Sequence, residues 1–102
     1  MPAPVNIVVT KSDTEDSIVV KPGIFKINKN PKQGQHKEVE WHCSSAFSID
    51  FVNDSPFGTP PTLHYSSPGG TILSGYAERL GTYKYTVTVG GNVLDPGGVV
   101  DK

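Results

Sequence analysis

Cysteine occurs once in this 102-residue chain, at Cys43, so no disulfide forms within it. A lone thiol suits a reducing compartment and equally an exported chain. Arginine also occurs once, at Arg79, and nine basic residues stand against ten acidic ones. A net charge of −1 makes no field that would draw nucleic acid or an anionic membrane. No apolar run approaches membrane-spanning length, so no insertion into a membrane is expected. The opening Met1-Pro2-Ala3-Pro4 has neither the charged nor the apolar region of a secretory leader. The compartment therefore stays open between the cytoplasm and export with a leader removed. Nowhere does an apolar period of 3.6 persist, which argues against helices as the main elements.

What is present is punctuation and alternation. Eleven glycines and nine prolines are spread without period between short apolar runs, which reads as many turns rather than disorder. A chain of this size buries roughly two thirds of its unfolded surface and can fold without staples. It is read as one domain over residues 1–102.

Period-two alternation marks the strands. Val5 to Thr10 places Val5, Ile7 and Val9 on one face, and Lys11 to Asp16 is an acidic turn. Ser17 to Lys21 is β-branched and ends at the turn pair Pro22-Gly23. Ile24 to Asn28 sets Phe25 and Ile27 against Lys26, and the polar stretch Lys29 to Lys37 is a loop. Glu38 to Cys43 puts Val39, Trp41 and Cys43 inside, with His42 outside. Ala46 to Val52 puts Phe47, Ile49 and Phe51 inside. Asn53 to Pro61 is a loop, Thr62 to Tyr65 a short edge strand, and Ser66 to Gly70 a turn. Ile72-Leu73 suits a strand, while Ala77 to Leu80 suits one helical turn. Thr82 to Val89 alternates most clearly, and Gly90-Gly91 suits a hairpin with positive φ at both positions. Val93-Leu94 returns, Asp95 to Gly98 turns, and Val99-Val100 closes the chain. About seven or eight short strands predict an all-β, two-sheet Greek-key sandwich.

Two short motifs carry a resemblance. Val39-Glu40-Trp41 resembles the Val-x-Trp/Phe strand of the cupredoxins, the plastocyanin- and azurin-type sandwiches. Gly81-Thr82-Tyr83-Lys84-Tyr85 resembles their Gly-x-Tyr-x-Tyr/Phe strand, which leads to the copper loop. The resemblance covers roughly Ser17 to Val100 and implies a cupredoxin-like sandwich; an immunoglobulin-like topology is the alternative. In copper-binding members a cysteine follows the second aromatic by two residues, where this chain has Val87. Thr88 to Leu94 then contains no thiolate, imidazole or thioether. The resemblance thus implies a copper-free relative, and no cofactor is expected.

Each candidate site has a plainer counterpart. His42, Cys43 and His64 are good soft-metal ligands by type, but His42 and Cys43 point to opposite faces of one strand and lack metal-ligand spacing. Ser44 or Ser45 with His42 and Asp50 has the residue types of a nucleophilic triad, without a nucleophile elbow. Lys21, Lys26, Lys29, Lys32, His36 and Lys37 form a basic stretch free of acidic residues. It reads either as a partner-binding loop or as lysines guarding a sheet edge. Asn53-Asp54-Ser55 matches a glycosylation acceptor, followed directly by Pro56. Phe57 and Tyr65 either line an apolar patch at one end of the sandwich or plug its core.

The reading that follows is a monomeric, non-enzymatic binding or accessory module that meets a protein through end loops or an edge strand. Lys29, Lys32, His36, Lys37, Phe57 and Tyr65 are its expected contact residues. The alternative is a metal-binding or electron-transfer protein using His42, Cys43 and His64.

Overall fold

In the structure, a computed structural model that describes residues 2–11 and 16–102, the alternating runs become strands of two packed sheets. The strands are β1 (Ala3–Lys11), β2 (Asp16–Lys21), β3 (Ile24–Asn28), β4 (Val39–Cys43) and β5 (Phe47–Phe51). They continue as β6 (His64–Ser67), β7 (Gly70–Leu73), β8 (Gly81–Val89), β9 (Asn92–Leu94) and β10 (Gly97–Asp101). One sheet has the order β2-β1-β4-β7, and the other β3-β10-β8-β5-β6, with β9 also on β8. The expected turn between Lys11 and Asp16 lies, for residues 12–15, outside the described residues.

Two pairings are parallel, β1 with β4 and β3 with β10; the rest are antiparallel. β2 and β3 are consecutive segments of one edge, and Pro22-Gly23 moves the chain from one sheet to the other. Proline has no N–H for a ladder and glycine accepts a bend, so the pair breaks pairing at that corner. Gly98 answers a second demand. A Cβ there would fall within bonding-type distance of the buried Phe25 ring, so only a hydrogen fits.

The inward positions form one core. Val5 and Ile7, Ile18 and Val20, Phe25 and Ile27, Val39, Trp41 and Cys43, and Phe47, Ile49 and Phe51 are all buried as the alternation requires. From β8, Tyr85, Val87 and Val89 join them, with Val100 from β10. Trp41 is fully buried at the centre, with the rings of Phe25, Phe51, Phe57, Tyr65 and Tyr85 at centroid distances of 5.2 to 6.5 Å. Each such pair adds roughly 0.5–1.5 kcal/mol beyond its area burial.

The structure corrects several expectations. The described residues hold ten strands rather than seven or eight, because β6, β7 and β9 are too short to show a period. β6 starts at His64 and runs through Ser67, so the turn into β7 is only Pro68-Gly69. No helix occurs among the described residues, and hence none long and apolar enough to cross a membrane. Ala77 to Leu80 is not a helical turn: Ala77 N–H donates to Lys37 C=O at 2.8 Å and Glu78 N–H to Pro56 C=O at 2.7 Å. Long-range partners take the donors that a helix would use. At the Gly90-Gly91 hairpin only Gly90 has positive φ, 59°.

Candidate binding surface at the loop end

The segments between β3 and β4, β5 and β6, and β7 and β8 meet at one end of the sandwich. Buried Phe57 anchors them, pairing with Ala77 in an isolated β-bridge. Thr62 N–H donates to Phe57 C=O at 2.8 Å, and the Lys37–Ala77 and Pro56–Glu78 bonds tie in the other two segments. Ser55 is fully buried; its Oγ bonds the Phe57 backbone, and its N–H donates to Asp54 Oδ1 at 2.8 Å. The Arg79 guanidinium donates to Ser55 C=O at 3.0 Å and Gly58 C=O at 2.5 Å. Ser74 Oγ accepts from Val39 N–H at 2.8 Å and donates to Gly75 C=O at 2.8 Å. The loops are therefore held by backbone and buried side-chain bonds rather than by exposed ion pairs.

On this held base several apolar side chains face outward: Tyr76 is 63% exposed, Leu73 54% and Leu80 44%. Lys37 Nζ lies 5.6 Å from the Tyr76 ring centroid, within cation–π range. A cleft of about 370 Å³ opens beside Tyr76, lined with it by Pro31, Gln35, Lys37 and Glu38.

The contact residues expected from sequence separate here. Phe57 is fully buried in the core, so its place in an exposed patch is corrected: it plugs the end of the sandwich. Tyr65 is half-buried against Trp41, with its hydroxyl donating to Ser74 C=O at 2.7 Å. Burial pushes its pKa up to about 12. Lys32 is exposed, Lys29 and His36 half-buried, and Lys37 lies at the cleft. Lys29 N–H donates to Asp101 C=O and His36 C=O accepts from Asn28 N–H, each at 2.7 Å. Lys21 and Lys26 instead lie exposed on the edge strands β2 and β3. Tyr76 was missed because Ser74 to Leu80 has no period; a lone aromatic after Gly75 in an aperiodic segment was its only signal.

His42, Cys43 and His64 do not converge. Cys43 is buried in the core. His42 faces outward from the first sheet, with Nδ1 at 2.9 Å from Thr71 Oγ1 and Nε2 at 3.0 Å from Glu40 Oε1. His64 lies on the second sheet, with Nδ1 at 2.5 Å from Asp50 Oδ1. That pairing also separates Asp50 from His42 and the neighbouring serines. Among the described residues no group of three or more His, Cys, Asp or Glu side chains converges.

Where the cupredoxin resemblance would place a copper thiolate, Val87 is fully buried in the core. The hairpin beyond it faces a cleft lined by Val9, Ser45, Ala46, Val89, Gly90 and Asn92 among others, with no imidazole, thiolate or thioether. This donor set does not fit copper. No family model, curated protein or solved structure matches this chain.

Proposed function

We propose that the chain is a non-enzymatic binding module on a copper-free, cupredoxin-like sandwich, and that its loop end engages another protein. The observation that carries this reading is exposed Tyr76 and Leu80, on a segment fixed by the Phe57–Ala77 bridge and the Arg79 bonds, with Leu73 exposed at the end of β7. Aromatic side chains on a rigid base lose little entropy on binding, and they are enriched at protein interfaces.

Two features support the cupredoxin-like form. The motif strands β4 and β8 bring Trp41 and Tyr85 together across the sandwich. The parallel pairs β1–β4 and β3–β10 differ from the all-antiparallel sheets of a constant-type immunoglobulin domain. The apolar surroundings of Val87 support the absence of blue-copper chemistry.

The test is paired enrichment from an extract of the native source on immobilised wild type and Tyr76→Ser. A protein retained by wild type, lost on Tyr76→Ser and then bound in purified form supports the reading. Equal retention of every protein on both would overturn it.

A further inference from the structure

The lysines and carboxylates of this chain keep apart. Among the described residues no lysine joins a close ion pair. The carboxylates are met otherwise: Glu40 and Asp50 lie against His42 and His64, Glu78 accepts from the Thr59 hydroxyl and Asp95 from that of Thr86. Residues 26–37 hold four lysines and no carboxylate. Lys26 is explained as a guard on the edge strand β3. Lys29, Lys32 and Lys37 are not, because they stand on the loop between β3 and β4 rather than on a strand.

That loop is held in shape by its own backbone. Asn28 N–H donates to His36 C=O at 2.7 Å and closes its base. Ala77 N–H to Lys37 C=O and Ala3 N–H to Glu38 C=O, both at 2.8 Å, pin its far end. Within it, Gln35 N–H donates to Lys32 C=O at 2.9 Å, and Gly34 has the positive φ, 83°, that the third position of a type II turn requires. Lys32 N–H donates to Gln35 Oε1 at 2.9 Å. The backbone is thus ordered before a partner arrives, and binding has only side chains left to fix.

The cleft at Tyr76 gives this charge a place. Pro31, Gln35 and Lys37 line it, and Lys32 stands on the turn between the first two. Lys37 Nζ lies 5.6 Å from the Tyr76 ring centroid, so a cation and an exposed apolar ring form one feature. Two carboxylates stand beside the loop. Glu38 lines the cleft, and Asp101 sits at the loop base, where its C=O accepts from Lys29 N–H. They leave the lysines in excess.

We infer that this cleft takes an acidic segment of the partner protein, with an apolar residue on Tyr76 and flanking Asp or Glu side chains on Lys32 and Lys37. The inference rests on the reading of the loop end as a protein-binding surface and adds the chemistry of the partner. Charge complementarity speeds the encounter with an acidic segment and disfavours a basic one. A nucleic acid fits less well. The guanidinium of Arg79, the one arginine, is taken up by the Ser55 and Gly58 carbonyls, and Tyr76 is the one exposed aromatic among the described residues, too few for a row of stacked bases.

The probe is a phage library of random twelve-residue peptides selected on the full chain at low salt; an enriched peptide is then synthesised. The expected consensus has two or more Asp or Glu residues beside an apolar one, and its NMR shifts centre on Lys32, Gln35, Lys37 and Tyr76. Raising salt from about 0.05 M to about 0.5 M weakens binding about fivefold or more, since exposed charges are screened. Lys32→Gln combined with Lys37→Gln weakens it about three- to tenfold. Lys26→Gln leaves it unchanged, and Glu38→Gln tightens it. Should a variant fail to fold, the salt series on wild type carries the test. A neutral or basic consensus that binds at Tyr76 would overturn the inference and leave the reading of the loop end standing. Enrichment of no peptide, or binding indifferent to Tyr76→Ser and to the double lysine variant, would also overturn it; the extract comparison then judges the reading by itself. So would a twelve-nucleotide oligothymidylate that competes as well as the peptide, the mark of a general anion site.

Discussion

The Trp41 indole N–H donates to the Tyr85 hydroxyl at 3.3 Å, and both residues are fully buried. This bond joins β4, an inner strand of one sheet, to β8, the central strand of the other sheet's path. Tyr85→Phe leaves the indole N–H without its acceptor in a dry site, which costs about 1–3 kcal/mol. Trp41→Ala empties the centre of the aromatic cluster and costs about 3–5 kcal/mol. Against a domain stability of about 5–15 kcal/mol, the second change leaves little. Urea unfolding of both variants checks this; a Trp41→Ala protein as stable as wild type would contradict the placement of the core.

Alkaline pH should weaken the fold. Burial pushes the Tyr85 pKa from 10.0 up to about 12, with the Trp41 hydrogen bond opposing; Tyr65 moves the same way. The folded state holds these protons more tightly than the unfolded chain. Their stabilising contribution is therefore full below pH 10 and is lost as pH rises from about 10 through about 12. For Tyr85 the displacement corresponds to something on the order of 3 kcal/mol. Melting temperature between pH 9 and pH 12 should fall in wild type and fall less in Tyr85→Phe. A flat profile in wild type would refute the burial of both hydroxyls.

Gly98→Ala should destabilise the fold although no positive φ is required there. Its Cβ would overlap the Phe25 ring, which is fixed against Trp41, Phe57 and Tyr85. Overpacking of this kind costs about 1–3 kcal/mol. Pairing it with Phe25→Leu should restore part of the loss, measured as a double-mutant cycle in urea. No recovery in the pair would mean that the clash lies elsewhere.

Cys43 should be chemically silent. It is a core residue on β4, 4% exposed. A native-state thiol assay is expected to show reaction only as fast as the protein unfolds, and Cys43→Ala should cost on the order of 1 kcal/mol. Prompt modification of the folded protein would place the thiol at the surface.

The parts of the fold that were legible are those where burial repeats every second residue. Val39-Trp41-Cys43, Phe47-Ile49-Phe51 and Tyr85-Val87-Val89 are inside because one face of each strand must be. The loop end was not legible. Phe57 and Ala77 are buried by a bridge between residues twenty apart, and no local pattern announces such a pairing. The same holds for His42 with Thr71 and Asp50 with His64, which depend on strand register. That β1 runs on past the end of its pairing with β4 appears only when both strands are seen. Lysines at an edge were readable by type, but which edge they guard was not.

We propose that this sandwich carries no blue-copper centre, and a copper titration followed by residue-resolved NMR tests that most directly. The purified, reduced protein is titrated with copper and with zinc. The account predicts no visible absorption band and, at most, weak unsaturated shifts at His36, His42 and His64, with Val87 to Leu94 unmoved. Saturable stoichiometric binding, centred either on that hairpin or jointly on His42, Cys43 and His64, would contradict it and make metal chemistry the business of the fold.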